Sequence, residues 1–232
     1  MAYKFARSLI RLILSIFTRL EVVGAENMPS SGSLIIAANH LGRLDVPLVY
    51  YFLDRPDVIL LIAEKYQKIP LVGWIVNRLD GIWVDRFNAD FRAMRQALAR
   101  LRAGGVLVLA PEGTRSPTEK LLEAKPGAGY LAAKAGVPIL PVAVTGTEDR
   151  IVIHQITHFR RIPIRIQAGQ PFQLPPFDAK SPHKDELLKQ YTDEIMCRIA
   201  ALLPPEYRGF YAEHPRLQQI LAGEAEPLYQ KT

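Results

Sequence analysis

Cysteine is almost absent: Cys197 stands alone in 232 residues, so no disulfide can close within the chain. Cysteine-rich zinc sites are excluded for the same reason, and a reducing compartment suits the count. Long apolar runs are also missing. The N-terminal stretch is interrupted by Arg7, Arg11 and Arg19 and falls short of the about 20 apolar residues that a bilayer-spanning helix needs. A signal peptide ending near Val23-Gly24-Ala25 is disfavoured because Arg11 breaks its apolar segment. No Gly-x-Ser-x-Gly elbow occurs, so a serine acyl-enzyme is not indicated. No P-loop and no Gly-x-Gly-x-x-Gly occurs, which leaves nucleotide phosphates without an evident cradle. Aromatic-and-basic motifs for nucleic acid are lacking as well, so nucleic acid is not an expected partner.

What is present suits one globular domain. Hydrophobic residues make up 49% and charged residues 22%, with no internal repeat and too little Gly and Pro for disorder. The net charge of +6 favours an anionic partner without choosing among nucleic acid, anionic lipid and a phosphorylated metabolite. On a helical wheel, Phe5, Leu9, Leu12, Ile13, Ile16, Phe17 and Leu20 share one face, with Lys4, Arg7, Arg11, Ser15, Thr18 and Arg19 on the other. Such a basic amphipathic helix suits a membrane interface; the alternative is a helix packed on its own domain. The expected organisation is a membrane-docking segment over 1–24, a main domain over 25–210 and a tail over 211–232, weakly structured or docked.

Along the chain, residues 21–33 read as a connector rich in turn formers. Apolar runs at 34–38, 58–63, 81–84, 106–110 and 138–144 read as strands, and 162–168 alternates as a later strand. Helical patterns fall at 70–78, 89–102, 127–135 and 183–203. In the second of these, Phe91, Met94, Leu98 and Leu101 share one side. Alternating strands and helices predict an α/β fold with a mixed, mostly parallel central sheet flanked by helices. Asn39/His40, Asp85/Arg86, Glu112 to Arg115 and Thr145/Gly146 each directly follow a strand. At the carboxyl edge of a parallel sheet these groups converge. A histidine with a carboxylate five residues on can act as a general base, although Asp45 could equally be a helix N-cap. Arginines beside a glycine turn suit phosphate. His154, His158 and Asp149 lie close together without a persuasive metal-ligand spacing; the two histidines read as loop or surface residues, and Cys197 reads as a small core residue.

Four segments in order carry a more specific signal. Asn39-His40-x4-Asp45, Gly81-Ile82-Trp83-Val84-Asp85-Arg86, Pro111-Glu112-Gly113-Thr114-Arg115-Ser116 and Val137-Pro138-Ile139-Leu140-Pro141-Val142 resemble the four motifs of the 1-acylglycerol-3-phosphate (lysophosphatidate) acyltransferases. Lys65, Gly73 and the 203–209 segment fit the same resemblance. Gly42 departs from it, standing where serine is common, as do Trp83 and Ala110, where phenylalanine is common. The resemblance implies acyl transfer from acyl-CoA or acyl carrier protein to a lysophospholipid hydroxyl, giving phosphatidate. Glycerol 3-phosphate or another lysolipid is the alternative acceptor, and a non-catalytic lipid-binding protein the alternative class. It implies His40 as general base and Asp45 as its partner. It places Asn39, Lys65, Arg86, Glu112, Gly113, Thr114 and Arg115 around the acceptor, with the arginines on phosphate. Glu112 would orient an arginine, accept from a substrate hydroxyl, or form a structural ion pair. No metal and no cofactor beyond the thioester co-substrate is implied. A peripheral or monotopic protein on the cytoplasmic face of a phospholipid membrane is expected.

Overall fold

The structure, a computed structural model, describes residues 2–85, 90–178, 180–226 and 228, without the side chains of 2–6 and 71. The chain opens with helix α1 (Ala2–Phe17) and passes directly into strand β1 (Thr18–Val23). Then follow β2 (Leu34–Ala38), α2 (Asp45–Phe52), β3 (Val58–Ala63), α3 (Pro70–Arg78), β4 (Ile82–Val84) and α4 (Phe91–Arg102). The second half comprises β5 (Val106–Leu109), α5 (Pro126–Ala135), β6 (Ile139–Thr145), α6 (Asp149–Thr157), β7 (Ile162–Ala168), α7 (Lys184–Leu202) and α8 (Pro215–Ala222).

The strands form one seven-stranded sheet in the order β1-β7-β6-β2-β5-β3-β4. Strands β6, β2, β5, β3 and β4 are mutually parallel. Strand β7 runs antiparallel to β6, and β1 runs parallel to β7, so this pair is reversed relative to the rest. The sheet is therefore mixed and mostly parallel, as expected. One consequence governs function. The amino ends of β1 and β7 lie on the same edge as the carboxyl ends of β2, β5 and β6.

Alternation along the strands divides the core between the two faces. Leu34 and Ile36 of β2 face α1 and α2, while Ile35 and Ala37 face α4, α5 and α7. Helix α7 buries Ile195, Met196 and Ile199 completely, each contributing roughly 1.5–3 kcal/mol of hydrophobic stabilisation. Helix α4 shows how local chemistry sets an element. The Asp90 carboxylate caps it by accepting from the Ala93 N–H at 2.9 Å. Ala93, Ala97 and Leu101, one turn apart, supply its buried stripe. Phe91, expected on that stripe, is instead 65% exposed.

Two segments differ from the sequence reading. The expected connector over 21–33 begins inside β1, an edge strand whose residues are mostly half-exposed or exposed, so it lacks a clear apolar alternation. Helix α6 is unexpected. It is nine residues long, rich in Ile, Val and Thr, and buries none of its residues, which leaves little periodic signal. The tail is docked: Tyr211 and Leu217 are fully buried, and α8 packs on α7. Buried Glu194 of α7 holds this end by accepting from Arg198 at 2.7 Å and from Arg216 Nη2 at 3.1 Å.

Candidate active site

The loop after β2 carries His40 at the parallel-strand edge. Its Nδ1 lies 2.6 Å from Asp45 Oδ2. The same oxygen accepts the backbone N–H groups of Leu41 at 2.9 Å and Gly42 at 3.1 Å. Asp45 is the first residue of α2, but its side chain does not cap that helix, whose N-cap is Leu44. The carboxylate instead turns back onto the loop and fixes the imidazole, so Nδ1 bears the proton and Nε2 is left as the basic nitrogen. Asp45 Oδ1 is buried without a hydrogen-bond partner among the described residues.

The imidazole is held from the backbone side too. The His40 N–H donates to Glu112 Oε1 at 3.0 Å, and the His40 carbonyl accepts from the Ser116 N–H at 2.9 Å. Glu112 Oε2 accepts from the Leu122 N–H at 2.9 Å. Burial pushes the Glu112 carboxyl above the usual range, and the two amides oppose that shift only in part. Glu112 thus joins the second loop to the first, and among the described residues it forms no ion pair with arginine. Asn39 is likewise a structural tie. Its side chain donates to the Val144 carbonyl and accepts from the Val144 N–H, both at 2.8 Å, which locks β2 to β6.

Gly42 is explained by packing. A Cβ there would lie 1.6 Å from the Thr147 carbonyl oxygen, so the loop passes too close to the β6–α6 turn for any side chain. Gly113 has φ +69 and brings the backbone against the Lys125 side chain.

A cavity of about 720 Å³ opens beside these groups. His40, Asp45, Gly113, Arg115, Tyr66 and Lys125 line its polar end. Under α2 it is apolar, with Leu48, Val49 and Phe52 facing Ile36, Leu60, Val108 and Val142. On the other side of the sheet it reaches Phe91, Met94, Leu131 and Tyr130. An imidazole base, cationic side chains and a long apolar recess therefore share one space. Arg115 is oriented by Asp149, with Nη1 to Oδ2 at 3.0 Å, and that carboxylate oxygen also accepts from Arg43 at 2.7 Å.

Of the expected site residues, His40, Asp45, Gly113 and Arg115 meet at the cavity, and Asn39 contributes to its wall while its amide holds the sheet. Glu112 lies behind the loop. Thr114 is exposed and does not line the cavity, and Lys65 sits on an exposed 3-10 turn with its ammonium 5.1 Å from the Tyr66 ring centre. Arg86 lies outside the described residues. Sequence reasoning missed Lys125, Tyr66 and Asp149. Lys125 had a signal: it precedes Pro126, which begins α5, so it stands at a helix N-cap facing the cavity. Cys197 is fully buried in α7, and its thiol is pushed up to about 12 chiefly by burial, so it has no part here. Among the described residues no group of three or more His, Cys, Asp or Glu could hold a metal ion.

Comparison with known proteins gives a consistent pattern. The profile of the family described as Acyltransferase matches residues 19–145. A 1-acyl-sn-glycerol-3-phosphate acyltransferase of Chlamydomonas reinhardtii is 28% identical over 200 residues, covering 85% of this chain and 57% of that protein. The enzyme of the same name from Bacillus subtilis is 24% identical, covering 86% and 96%. The crystal structure of the 1-acyl-sn-glycerophosphate (LPA) acyltransferase PlsC from Thermotoga maritima superposes with a TM-score of 0.60 at 30% identity, over 84% of this chain and 78% of that one. The chain spans about half the length of the algal protein and of several other curated relatives, 37% to 57%.

Proposed function

The chain belongs to the acyltransferase family, and from that premise we propose that it moves a fatty acyl group from a thioester to the free hydroxyl of 1-acylglycerol 3-phosphate, giving phosphatidate. The observation that carries this reading is the His40–Asp45 pair at the polar end of an apolar cavity that also holds Arg115. The names of the relatives from Chlamydomonas, Bacillus and Thermotoga supply the acceptor.

In the proposed reaction His40 Nε2 takes the acceptor hydroxyl proton as the oxygen attacks the thioester carbonyl carbon. The tetrahedral intermediate collapses, the carbon–sulfur bond breaks, and the departing thiolate takes the proton from the imidazolium. No protein nucleophile is needed, so transfer is direct. Asp45 remains a carboxylate throughout, held by the Leu41 and Gly42 amides, and stabilises the imidazolium as it forms. Arg115 would exchange part of its contact with Asp149 for the acceptor phosphate. The apolar recess would take an acyl chain, and acyl-CoA or acyl carrier protein would present it.

Helix α1 fits a membrane-docking role. Arg7 packs inward, its Nε donating to the Tyr50 carbonyl at 3.2 Å, while exposed Arg11 holds its guanidinium 5.4 Å from the Tyr51 ring centre. Leu9, Leu12, Ile13, Ile16 and Phe17 are left exposed, between 46% and 57%. A helix packed for its own domain would bury that face. Among the described residues no helix is long and apolar enough to cross a membrane. We therefore read the protein as peripheral or monotopic, with α1 in the interface on the cytoplasmic face, where the thioester donors are available.

Release of free thiol from acyl-CoA, followed with several acceptors, tests the acceptor assignment. Turnover with 1-acylglycerol 3-phosphate is expected. Turnover with glycerol 3-phosphate alone would move the function to that acceptor, and none with any acceptor would overturn the catalytic reading.

A further inference from the structure

We propose that the turn between α6 and β7 is a second membrane-insertion element, which binds the surface of an anionic phospholipid bilayer beside α1. This inference rests on the reading of α1 as a docking helix. Strand β7 is antiparallel to β6, with Arg165 opposite Thr145, so β7 begins on the edge where β6 ends and His40 sits. Strand β1 is parallel to β7, with Thr18 opposite Ile162. The chain therefore enters both strands from the catalytic edge, one strand spacing apart, about 4.8 Å. Phe17 immediately precedes β1, and Phe159 stands three residues ahead of Ile162.

Phe159 is 100% exposed and has φ +53, a left-handed conformation uncommon for a bulky side chain. The turn is nevertheless built, since the Phe159 N–H donates to the Ile156 carbonyl at 3.1 Å and the Arg160 N–H to the Gln155 carbonyl at 2.9 Å. Strained backbone thus presents an aromatic ring that touches nothing in water. Ile153 and Ile156, 58% and 51% exposed, continue the apolar stripe on α6. Arg160 and Arg161 flank the ring and are exposed. The Arg161 guanidinium donates to the Ser15 carbonyl, which fastens the turn to the last residues of α1.

An aromatic ring between two arginines, continuous with an apolar helix face, suits a lipid interface. The ring enters the boundary of headgroups and acyl chains, and the guanidiniums meet lipid phosphates. The location adds a purpose. With α1 on one strand entrance and this turn on the next, the edge that carries His40 would be pressed against the layer holding the lipid acceptor.

The test uses the full chain with one environment-sensitive fluorophore on a cysteine at Phe159→Cys or, separately, Leu12→Cys. Buried Cys197 leaves the introduced thiol as the one accessible to labelling, which the unmodified protein checks. Vesicles of phosphatidylglycerol with brominated acyl chains are added, then vesicles of phosphatidylcholine alone. Expected is a blue shift and bromine quenching at both positions on the anionic vesicles. The variant Arg160→Gln should lose about fivefold in vesicle affinity, with unchanged melting. Quenching at position 12 with position 159 still in water overturns the inference and leaves the α1 reading standing. No response at either position means that the α1 reading has failed as well. Equal response to zwitterionic vesicles, or a response only to added acyl carrier protein, overturns the anionic-bilayer assignment.

Discussion

Glu112 illustrates how a carboxyl group in a motif can be engaged by the backbone. Its two oxygens accept the N–H groups of His40 and Leu122, at 3.0 and 2.9 Å, so the loop bearing the base is hung on a buried carboxylate. Glu112→Gln leaves one of those amides facing an NH₂ group, at about 1–3 kcal/mol. We expect a lower melting temperature and about a tenfold loss in kcat, read by calorimetry and steady-state acyl transfer; wild-type values for both would remove the positioning role. The pH dependence has a definite sign. The raised carboxyl keeps its proton in the folded state where the unfolded chain has lost it, so this contribution to stability falls as pH rises from near 4.5 through the folded value. The Gln variant should lack that slope. Arg115 has the opposite character, since it lines the cavity. Arg115→Ala should raise KM for 1-acylglycerol 3-phosphate about tenfold, the worth of a charged hydrogen bond, and leave KM for a phosphate-free monoacylglycerol unchanged. At this scale the sequence pointed to the pairing of His40 with Asp45, which lie 2.6 Å apart, but not to the duties of Asn39 and Glu112. Residue type and spacing do not tell a carboxylate that holds a backbone from one that meets a ligand.

The elements show the same division. Strands buried on both faces, such as β2 and β6, are continuous apolar runs and were legible, as was the mostly parallel sheet. Edge strand β1 and exposed helix α6 were not, because neither buries enough to impose a period. Gly42 stands out in the sequence as a departure, but its reason is tertiary: the β6–α6 turn lies against it. Gly42→Ser should therefore destabilise the protein by about 1–3 kcal/mol, visible as a drop in melting temperature with loss of activity. Unchanged melting would mean that the loop has room. For α1, the exposed apolar face makes a sharp prediction. Leu12→Glu with Ile16→Glu should weaken binding to anionic vesicles at least about tenfold without changing the melting temperature, since both residues are 57% exposed. Cosedimentation that matched wild type would contradict the docking role.

Across the whole molecule, the reversed β7–β1 pair brings the terminal helix to the edge of the candidate site. Because those strands run against the others, the entrances from α1 and from the α6–β7 turn sit at the edge where the parallel strands deliver His40 and Arg115. The sequence showed motifs at strand ends, from which convergence on one edge could be argued. It could not show that the terminal helix reaches that edge, because the direction of β1 and β7 is a matter of pairing, not of local pattern. The positive net charge agrees with the anionic acceptor proposed above. The most direct measurement of this account is phosphatidate formation from acyl-CoA and 1-acylglycerol 3-phosphate on vesicles, by wild type and by His40→Ala. The expected result is robust wild-type turnover and a loss of about 10²–10⁴-fold in the variant, with vesicle binding and melting unchanged. A His40→Ala variant that turns over within a few-fold of wild type would contradict it.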